Sequence, residues 1–335
     1  MHNFKKILPR LILIMAFLFL LEKGTRFCYE SYDKYSIYAN REYKEELGKA
    51  TTLFCGTSRT YSGYNPAVYD ELTGENSFNM GTGAQAIKDT YYIIKDALRL
   101  NPVKKIFLEV SLPTMQDTGN DSSTLGSSDR VYSLTGKLDM AFHSEKNSMQ
   151  VRELFYSTRV KDYFDLDTIR KNVSYKLSSE SDTAPYMGKN EGSYIYKGFI
   201  NNSRVFSGKR TTTENKSRQT WNRSSVSEKC EQYLKDIIAL CRSKEVELIL
   251  VSPPLPDALL QYAGDMEDMN AFYTELAEQY DLKFYDMNFY KEKDSTFPTE
   301  SFRDTNHLNL TGADTFTRLV VQIYESGEEY MEYFQ

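Results

Sequence analysis

The chain contains three histidines, so acid–base chemistry near neutral pH is confined to few positions. His2 precedes an apolar run, and His143 has no obvious partner in sequence. His307 stands in Asp304-Thr305-Asn306-His307-Leu308-Asn309. A carboxylate three positions ahead can take the imidazole Nδ1 proton and leave Nε2 free as a base. Such a pair arises often by accident and decides little without a nucleophile. The candidate nucleophile is Ser58, in Gly56-Thr57-Ser58-Arg59, directly after the apolar run 51–55. A serine at a strand tip, behind a glycine that permits a tight turn, exposes its Oγ and turns its own N–H toward a developing oxyanion. The bland alternative is that Ser58 caps the next helix. Asn79-Met80-Gly81-Thr82-Gly83 is a second glycine-rich strand exit whose N–H groups point the same way, or which only makes a turn. Arg59 and Asn79 are the candidate substrate contacts. Arg59 suits a phosphate, and equally an ion pair with a surface carboxylate.

These residues need elements that bring them together. Runs 51–55, 77–80, 105–111, 246–252 and 283–286 are short, apolar or β-rich, and end in Gly, Pro, Ser or Asp, which predicts five strands. Helical periodicity falls between them at 86–100, 227–244, 266–280 and 315–324; in the first, Ile87, Tyr91, Ile94, Ala97 and Leu98 share a face. Strands alternating with such helices predict right-handed βαβ units and an α/β fold: a parallel sheet in three α/β/α layers. Ligands of such sheets bind at the carboxyl ends of the strands, where the candidate segments fall. The alternation breaks once. Residues 113–225, rich in Ser, Asn, Asp, Gly and Tyr, follow the third strand and are expected as an inserted lid or cap, with the catalytic domain split into 50–112 and 226–335. Residues 201–225 hold Arg204, Lys209, Arg210, Lys216, Arg218 and Arg223 against only Glu214, which suits phosphate groups of lipid heads or an anionic polymer, or is a solvated loop.

The 41 Lys and Arg against 47 Asp and Glu give a net charge of −6, which argues against a general nucleic-acid binder. With 40% hydrophobic residues the chain can bury a core, which excludes wholesale disorder. Cys230 and Cys241 fall in one predicted helix about 16 Å apart, beyond disulfide reach, and all four cysteines are expected as free thiols. One useful histidine and scattered thiols do not make a zinc site. No phosphate-cradling Gly-x-x-x-x-Gly-Lys or Gly-x-Gly-x-x-Gly follows any strand, and no cofactor is expected. The N-terminus reads as an export signal. Residues 11–21 are apolar without interruption behind Lys5, Lys6 and Arg10, and no Ala-x-Ala cleavage site follows. We expect an uncleaved signal anchor over residues 1–24, spanning the membrane once, in preference to a cleaved signal or a buried core helix. A polar helical stalk follows over 25–49. The basic flank places the rest of the chain outside the cytoplasm.

The turn Gly56-Thr57-Ser58, the segment Asn79 to Gly83 and the pair Asp304 and His307 together resemble the first, second and fifth blocks of the SGNH, or GDSL-like, hydrolase superfamily. The resemblance covers 50–112 and 226–324, about half of the chain, and not the insertion. It implies an SGNH-like, flavodoxin-like fold with Ser58 as nucleophile, His307 as general base and Asp304 as orienting carboxylate. The N–H groups of Ser58 and Gly83 would then be the oxyanion donors. The superfamily's third block is a Gly-x-Asn-Asp, whereas this third strand ends Leu108-Glu109-Val110-Ser111-Leu112-Pro113, so a third donor is missing or replaced. That departure, the membrane anchor and Gly-Thr-Ser-Arg in place of Gly-Asp-Ser are similar to a membrane-linked subset: the D-alanyl-lipoteichoic acid transfer protein and polysaccharide O-acetyltransferases. That likeness implies an acyl-ester donor, an envelope glycan or polyol polymer as acceptor, and a membrane-bound O-acyltransferase as partner. Water as acceptor would make the same site an esterase. An inactive scaffold that keeps the shape and binds a partner or glycan is the alternative, and the absent third donor favours it.

Overall fold

The computed structural model describes residues 2–334 apart from 113, 117, 145, 184–191 and 210–219. Helix α1 (His2–Tyr29) is followed by α2 (Tyr35–Glu45), β1 (Thr52–Cys55), α3 (Ser58–Gly63), α4 (Pro66–Thr73), β2 (Ser77–Asn79), α5 (Ile87–Leu100) and β3 (Lys105–Glu109). The insertion contributes α6 (Asp121–Ser128), α7 (Leu134–Phe142), α8 (Asn147–Leu154), α9 (Leu166–Lys176) and the antiparallel pair β4 (Ser193–Tyr196) and β5 (Phe199–Asn201). The sheet domain resumes with α10 (Glu228–Ser243), β6 (Glu247–Ser252), α11 (Asp257–Leu260), α12 (Met266–Gln279), β7 (Lys283–Asp286), α13 (Lys293–Thr296) and α14 (Leu310–Glu325). The strands pair in the order β2-β1-β3-β6-β7, parallel throughout. The five expected strands are these five, and the four expected helices are α5, α10, α12 and α14.

Because every strand is buried on both faces, alternate side chains enter two separate cores. Leu53, Cys55, Ile106, Leu108, Leu248, Leu250 and Phe284 join Ile93, Ile94, Leu234, Ile237, Tyr273 and Leu276 of α5, α10 and α12 on one face. Phe54, Phe107, Ile249, Val251 and Tyr285 join Tyr69, Phe316 and Val320 of α4 and α14 on the other. This makes the three-layer α/β/α architecture. Strand order reverses on either side of β1 and β3, so a crevice opens above their carboxyl ends. Ser58 follows β1 there, and Glu109 ends β3.

The chain ahead of β1 departs from expectation. Residues 7–21 of α1 are exposed, yet among the described residues no helix is long and apolar enough to cross a membrane. The uninterrupted apolar run 11–21 spans about 16 Å at 1.5 Å per residue, about half of a hydrocarbon core, and Arg10, Glu22 and Lys23 bracket it. The transmembrane expectation thus finds no span among the described residues. The segment 25–49, expected as a stalk, is helical but lies against the domain. Tyr38, Ala39 and Tyr43 are buried, and Tyr43 packs edge-on against Phe78 of β2.

The insertion makes contacts with the chain on either side of it. Its first half takes the base of α1: Glu22 accepts the N–H groups of Tyr156 and Ser157, Asn172 donates to Cys28 O (2.9 Å), and Lys176 donates to the carbonyls of Phe27 and Glu30 (2.8 and 2.6 Å). Its β4–β5 hairpin turns back to the sheet domain, where Lys197 O accepts the Asn79 N–H (2.9 Å) and Asn201 Nδ2 donates to Ser62 O (2.7 Å). Of the basic cluster, Arg223 pairs with Asp268 and Glu275 (2.8 and 3.2 Å), and Arg204 and Lys209 are exposed. Arg210, Lys216 and Arg218 lie outside the described residues. None of the four cysteines forms a disulfide among the described residues, and Cys230 and Cys241 lie on the single helix α10.

Phe54 anchors the tip of β1. Fully buried one residue before the end of β1, its ring stacks on Tyr64 at 4.3 Å and meets Tyr69 edge-on at 5.1 Å. Phe54→Ala should cost about 3–5 kcal/mol of unfolding free energy, read by urea denaturation. A loss under about 1 kcal/mol would show that this stack does not hold the β1 tip.

Candidate active site

The tip of β1 turns sharply because Gly56 sits at φ +148°, where a Cβ would press on Thr60 Oγ1 and lie 2.6 Å from Glu109 Oε2. The chain enters α3 at once. Its N-cap is Thr57, whose Oγ1 accepts the Arg59 N–H (3.2 Å), so the capping role expected as an alternative for Ser58 belongs to its neighbour. As the first residue of α3, Ser58 keeps an N–H without an intrahelical acceptor and a hydroxyl free for chemistry.

Glu109 holds this turn. It is 2% exposed at the carboxyl end of β3. It accepts the Thr57 N–H (2.6 Å), the hydroxyls of Thr57 (2.8 Å) and Thr60 (2.7 Å), and Ser111 Oγ (3.0 Å). A buried carboxylate is tolerable when its lone pairs are filled in this way. Reading the sequence for donors passed over Glu109; its signal was an acid inside an otherwise apolar buried strand.

His307 comes from a loop tied at both ends. Phe302 and Leu308 pair as an antiparallel bridge, and the Arg303 N–H donates to His307 O (2.9 Å). Asn309 caps α14 by accepting the Gly312 N–H (3.0 Å), while its Nδ2 donates to Glu300 O (2.6 Å). Inside the loop, Asp304 Oδ1 accepts the N–H groups of Asn306 (2.7 Å) and His307 (2.9 Å), and His307 Nδ1 lies 2.9 Å from the same oxygen. With Nδ1 donating to Asp304, Nε2 is the acceptor that faces Ser58 Oγ at 2.8 Å. Burial alone would raise the Asp304 pKa. The His307 ring and its hydrogen bond, the Asn306 N–H and Arg303 outweigh it and hold the carboxyl at about 2, against 3.8 ordinarily. The structure thus places Ser58, His307 and Asp304 in one line, in the geometry a proton relay requires.

The other expected residues fall differently. Asn79 is a correction: fully buried, it donates through Nδ2 to Thr60 O (2.8 Å) and Tyr64 O (3.1 Å) and accepts the Gly81 N–H (3.1 Å). It fastens α3 to the β2 exit and is not a substrate contact. Arg59 is buried rather than at the surface, and Nη2 donates to Asn306 Oδ1 (3.3 Å), tying α3 to the His307 loop. The loop after β2 does run beside the nucleophile turn, with the Thr82 N–H donating to Gly56 O (3.2 Å). Gly83 is exposed, and its N–H meets the phenol oxygen of Tyr35 at 3.4 Å. Ala84 beside it holds φ 49°, a left-handed conformation that costs a non-glycine residue about 1 kcal/mol or more and is found where a site dictates the backbone.

A protein-family model matches residues 121–326. The chain belongs to that family. The matched stretch runs from the insertion through α14, so it includes Asp304 and His307 and leaves out Ser58. No curated protein sequence matches the chain. Among solved structures the chain is similar to a "putative acylhydrolase" of Bacteroides fragilis, at 10% identity over 85% of this chain and 93% of that one, TM-score 0.41. It is also similar to a "putative platelet activating factor" from Streptococcus pneumonia, at 12% identity over 92% and 98%, TM-score 0.41. A GDSL-like lipase of Bacteroides thetaiotaomicron matches at 12% identity over 88% and 98%, TM-score 0.34.

Two consequences can be measured. Since the folded Asp304 pKa of about 2 lies below its ordinary 3.8, its stabilising contribution is complete above about pH 5. That contribution, on the order of 2 kcal/mol, is lost as pH falls from about 4 through 2. The stability gap between the native chain and Asp304→Asn should therefore be flat above about pH 5 and narrow below it; a gap that widens on acidification contradicts the assignment. Glu109→Gln replaces one of the acceptor oxygens that Thr57, Thr60 and Ser111 share with an amide donor and should cost about 1–3 kcal/mol of stability, read by denaturation. It should also slow Ser58 acylation, and an unaltered acylation rate would show that Glu109 does not position the turn.

Proposed function

We propose that the protein is a serine acyl-ester hydrolase or O-acyltransferase of the SGNH type. The observation that carries this reading is the 2.8 Å contact of His307 Nε2 with Ser58 Oγ, with Asp304 on the far side of the ring. In the first step Ser58 Oγ attacks the acyl carbonyl while His307 Nε2 takes its proton, and backbone N–H groups at the α3 start and the β2 exit hold the oxyanion. The protonated ring then gives its proton to the leaving group. In the second step it activates the acceptor hydroxyl, which displaces Ser58 Oγ from the acyl group. Water as acceptor gives an esterase; a glycan or polyol hydroxyl of a cell-envelope polymer gives a transferase. A membrane-bound O-acyltransferase is the partner this reading names.

The exposed apolar stretch of α1 behind Arg10 supports attachment to the outer face of the cell membrane, with the catalytic domain extracytoplasmic. Removal of residues 2–24 should release the chain from the membrane pellet; retention in that pellet would sink this part.

A second reading is a catalytically silent scaffold. It is favoured by Tyr35 standing against the Gly83 N–H and by β3 ending in Glu109 rather than an asparagine donor. A serine-reactive fluorophosphonate separates the two. The proposal expects a single adduct on Ser58 that Ser58→Ala abolishes and His307→Ala slows by about 10³-fold or more. Folded protein that forms no Ser58 adduct would leave the scaffold.

A further inference from the structure

Arg130, two residues after α6, is fully buried, and no carboxylate or carbonyl among the described residues accepts from its three guanidinium nitrogens; the Tyr132 phenol is the hydrogen-bonding side chain beside them. Burying a guanidinium without a counter-charge is unfavourable. The neighbouring carboxylate does not. Asp129 accepts from Arg26 (3.4 Å) and Arg159 (2.9 Å), so its charge is already shared by two other guanidinium groups. What faces Arg130 is aromatic, for its Cζ lies 5.9 Å from the centre of the Tyr35 ring.

A chain of contacts links the Arg130 backbone to the Ser58 turn. Ser127, whose carbonyl accepts the Arg130 N–H (2.8 Å), has its hydroxyl 3.0 Å from Thr82 Oγ1, and the Thr82 N–H donates to Gly56 O in the nucleophile turn. Tyr35 touches both the guanidinium and the loop after β2. Its ring lies 5.6 Å from that of Tyr61 on α3, and its phenol oxygen accepts from Gly83 at 3.4 Å, a long and weak bond. Tyr35 is only half-buried, and it opens α2, whose N-cap Lys34 makes no side-chain cap bond. Turning this one side chain uncovers both the guanidinium and the Gly83 N–H.

We propose that Arg130 is an anion-binding residue of the Ser58 site, which takes a phosphate or carboxylate group of the substrate by a bidentate, charge-assisted contact once Tyr35 turns aside. The placement beside Ser58 rests on the acyl-transfer reading; the anion contact is measured without turnover. The test is thermal unfolding of the full chain against rising inorganic phosphate at constant ionic strength, with acetate as a parallel arm that tells phosphate from carboxylate preference. Phosphate or acetate should raise the Tm of the native chain in proportion to the logarithm of its concentration. Arg130→Met should raise the Tm in anion-free buffer, since it removes an unpaired buried charge, and abolish the response. Tyr35→Ala should bring the response to about tenfold lower anion concentration, because the covering side chain no longer competes. No response in the native chain, a response that survives Arg130→Met, or an unshifted response in Tyr35→Ala would each overturn the proposal. If Arg130→Met does not fold, the Tyr35→Ala arm decides. A chain that answers phosphate through Arg130 but forms no Ser58 adduct would refute the acyl-transfer reading and leave the anion site standing.

Discussion

The carboxylate of Glu109 at the end of β3 is the constraint on which the geometry of the site depends. It sits beneath the Gly56-Thr57-Ser58 turn and takes donors from the backbone and side chain of Thr57, from Thr60 and from Ser111. Each bond is made to an ionised acceptor out of water, where it is stronger than a neutral surface bond and more costly to leave unmade. Gly56 supplies the backbone conformation that lets the turn close onto that carboxylate, since any side chain there would meet Thr60 and Glu109. Asn79 fixes the other end of α3 by binding the carbonyls of Thr60 and Tyr64. The hydroxyl of Ser58 is thereby presented by a short helix whose ends are both fastened to strands of the sheet.

The His307 loop is assembled by a separate set of bonds. Asp304 folds it by accepting two backbone N–H groups as well as the ring, and Asn309 ties it to α14. Arg59 joins the two assemblies by reaching from α3 to Asn306. The insertion supports both, through Asn201 to Ser62 and Arg303, and through the Phe206 N–H to Phe302 O (2.8 Å). Its first half grips the base of α1, and the chain leaving that grip supplies Tyr35 to the rim of the crevice.

The alternation of β-rich runs with helical periodicity made the sheet legible, because each strand is buried on both faces and each helix has one apolar side. The Ser58, Asp304 and His307 positions were legible because glycine turns and Asp–His spacing are local signals. Glu109 and Arg130 were not, since their roles depend on neighbours 52 and 95 residues away, and a charged letter in sequence does not say whether it will be buried. Asn79 misled for the related reason that an amide in a glycine-rich strand exit serves a turn as readily as a substrate. The N-terminal helix was read from hydropathy and its flanking charges, which do not show that the following helix has a buried face. The hairpin β4–β5 carried no periodic signal strong enough to separate it from the polar insertion around it.

The central claim is that His307 holds its proton on Nδ1 against Asp304 and offers Nε2 to the Ser58 hydroxyl. With three histidines in the chain, nitrogen-15 imidazole NMR near neutral pH resolves this directly. The account predicts one ring with a protonated Nδ1 and a hydrogen-bond-accepting Nε2 whose resonance moves on Ser58→Ala and whose tautomer is lost in Asp304→Asn. A His307 ring protonated on Nε2, or one indifferent to the removal of the Ser58 hydroxyl, would contradict it.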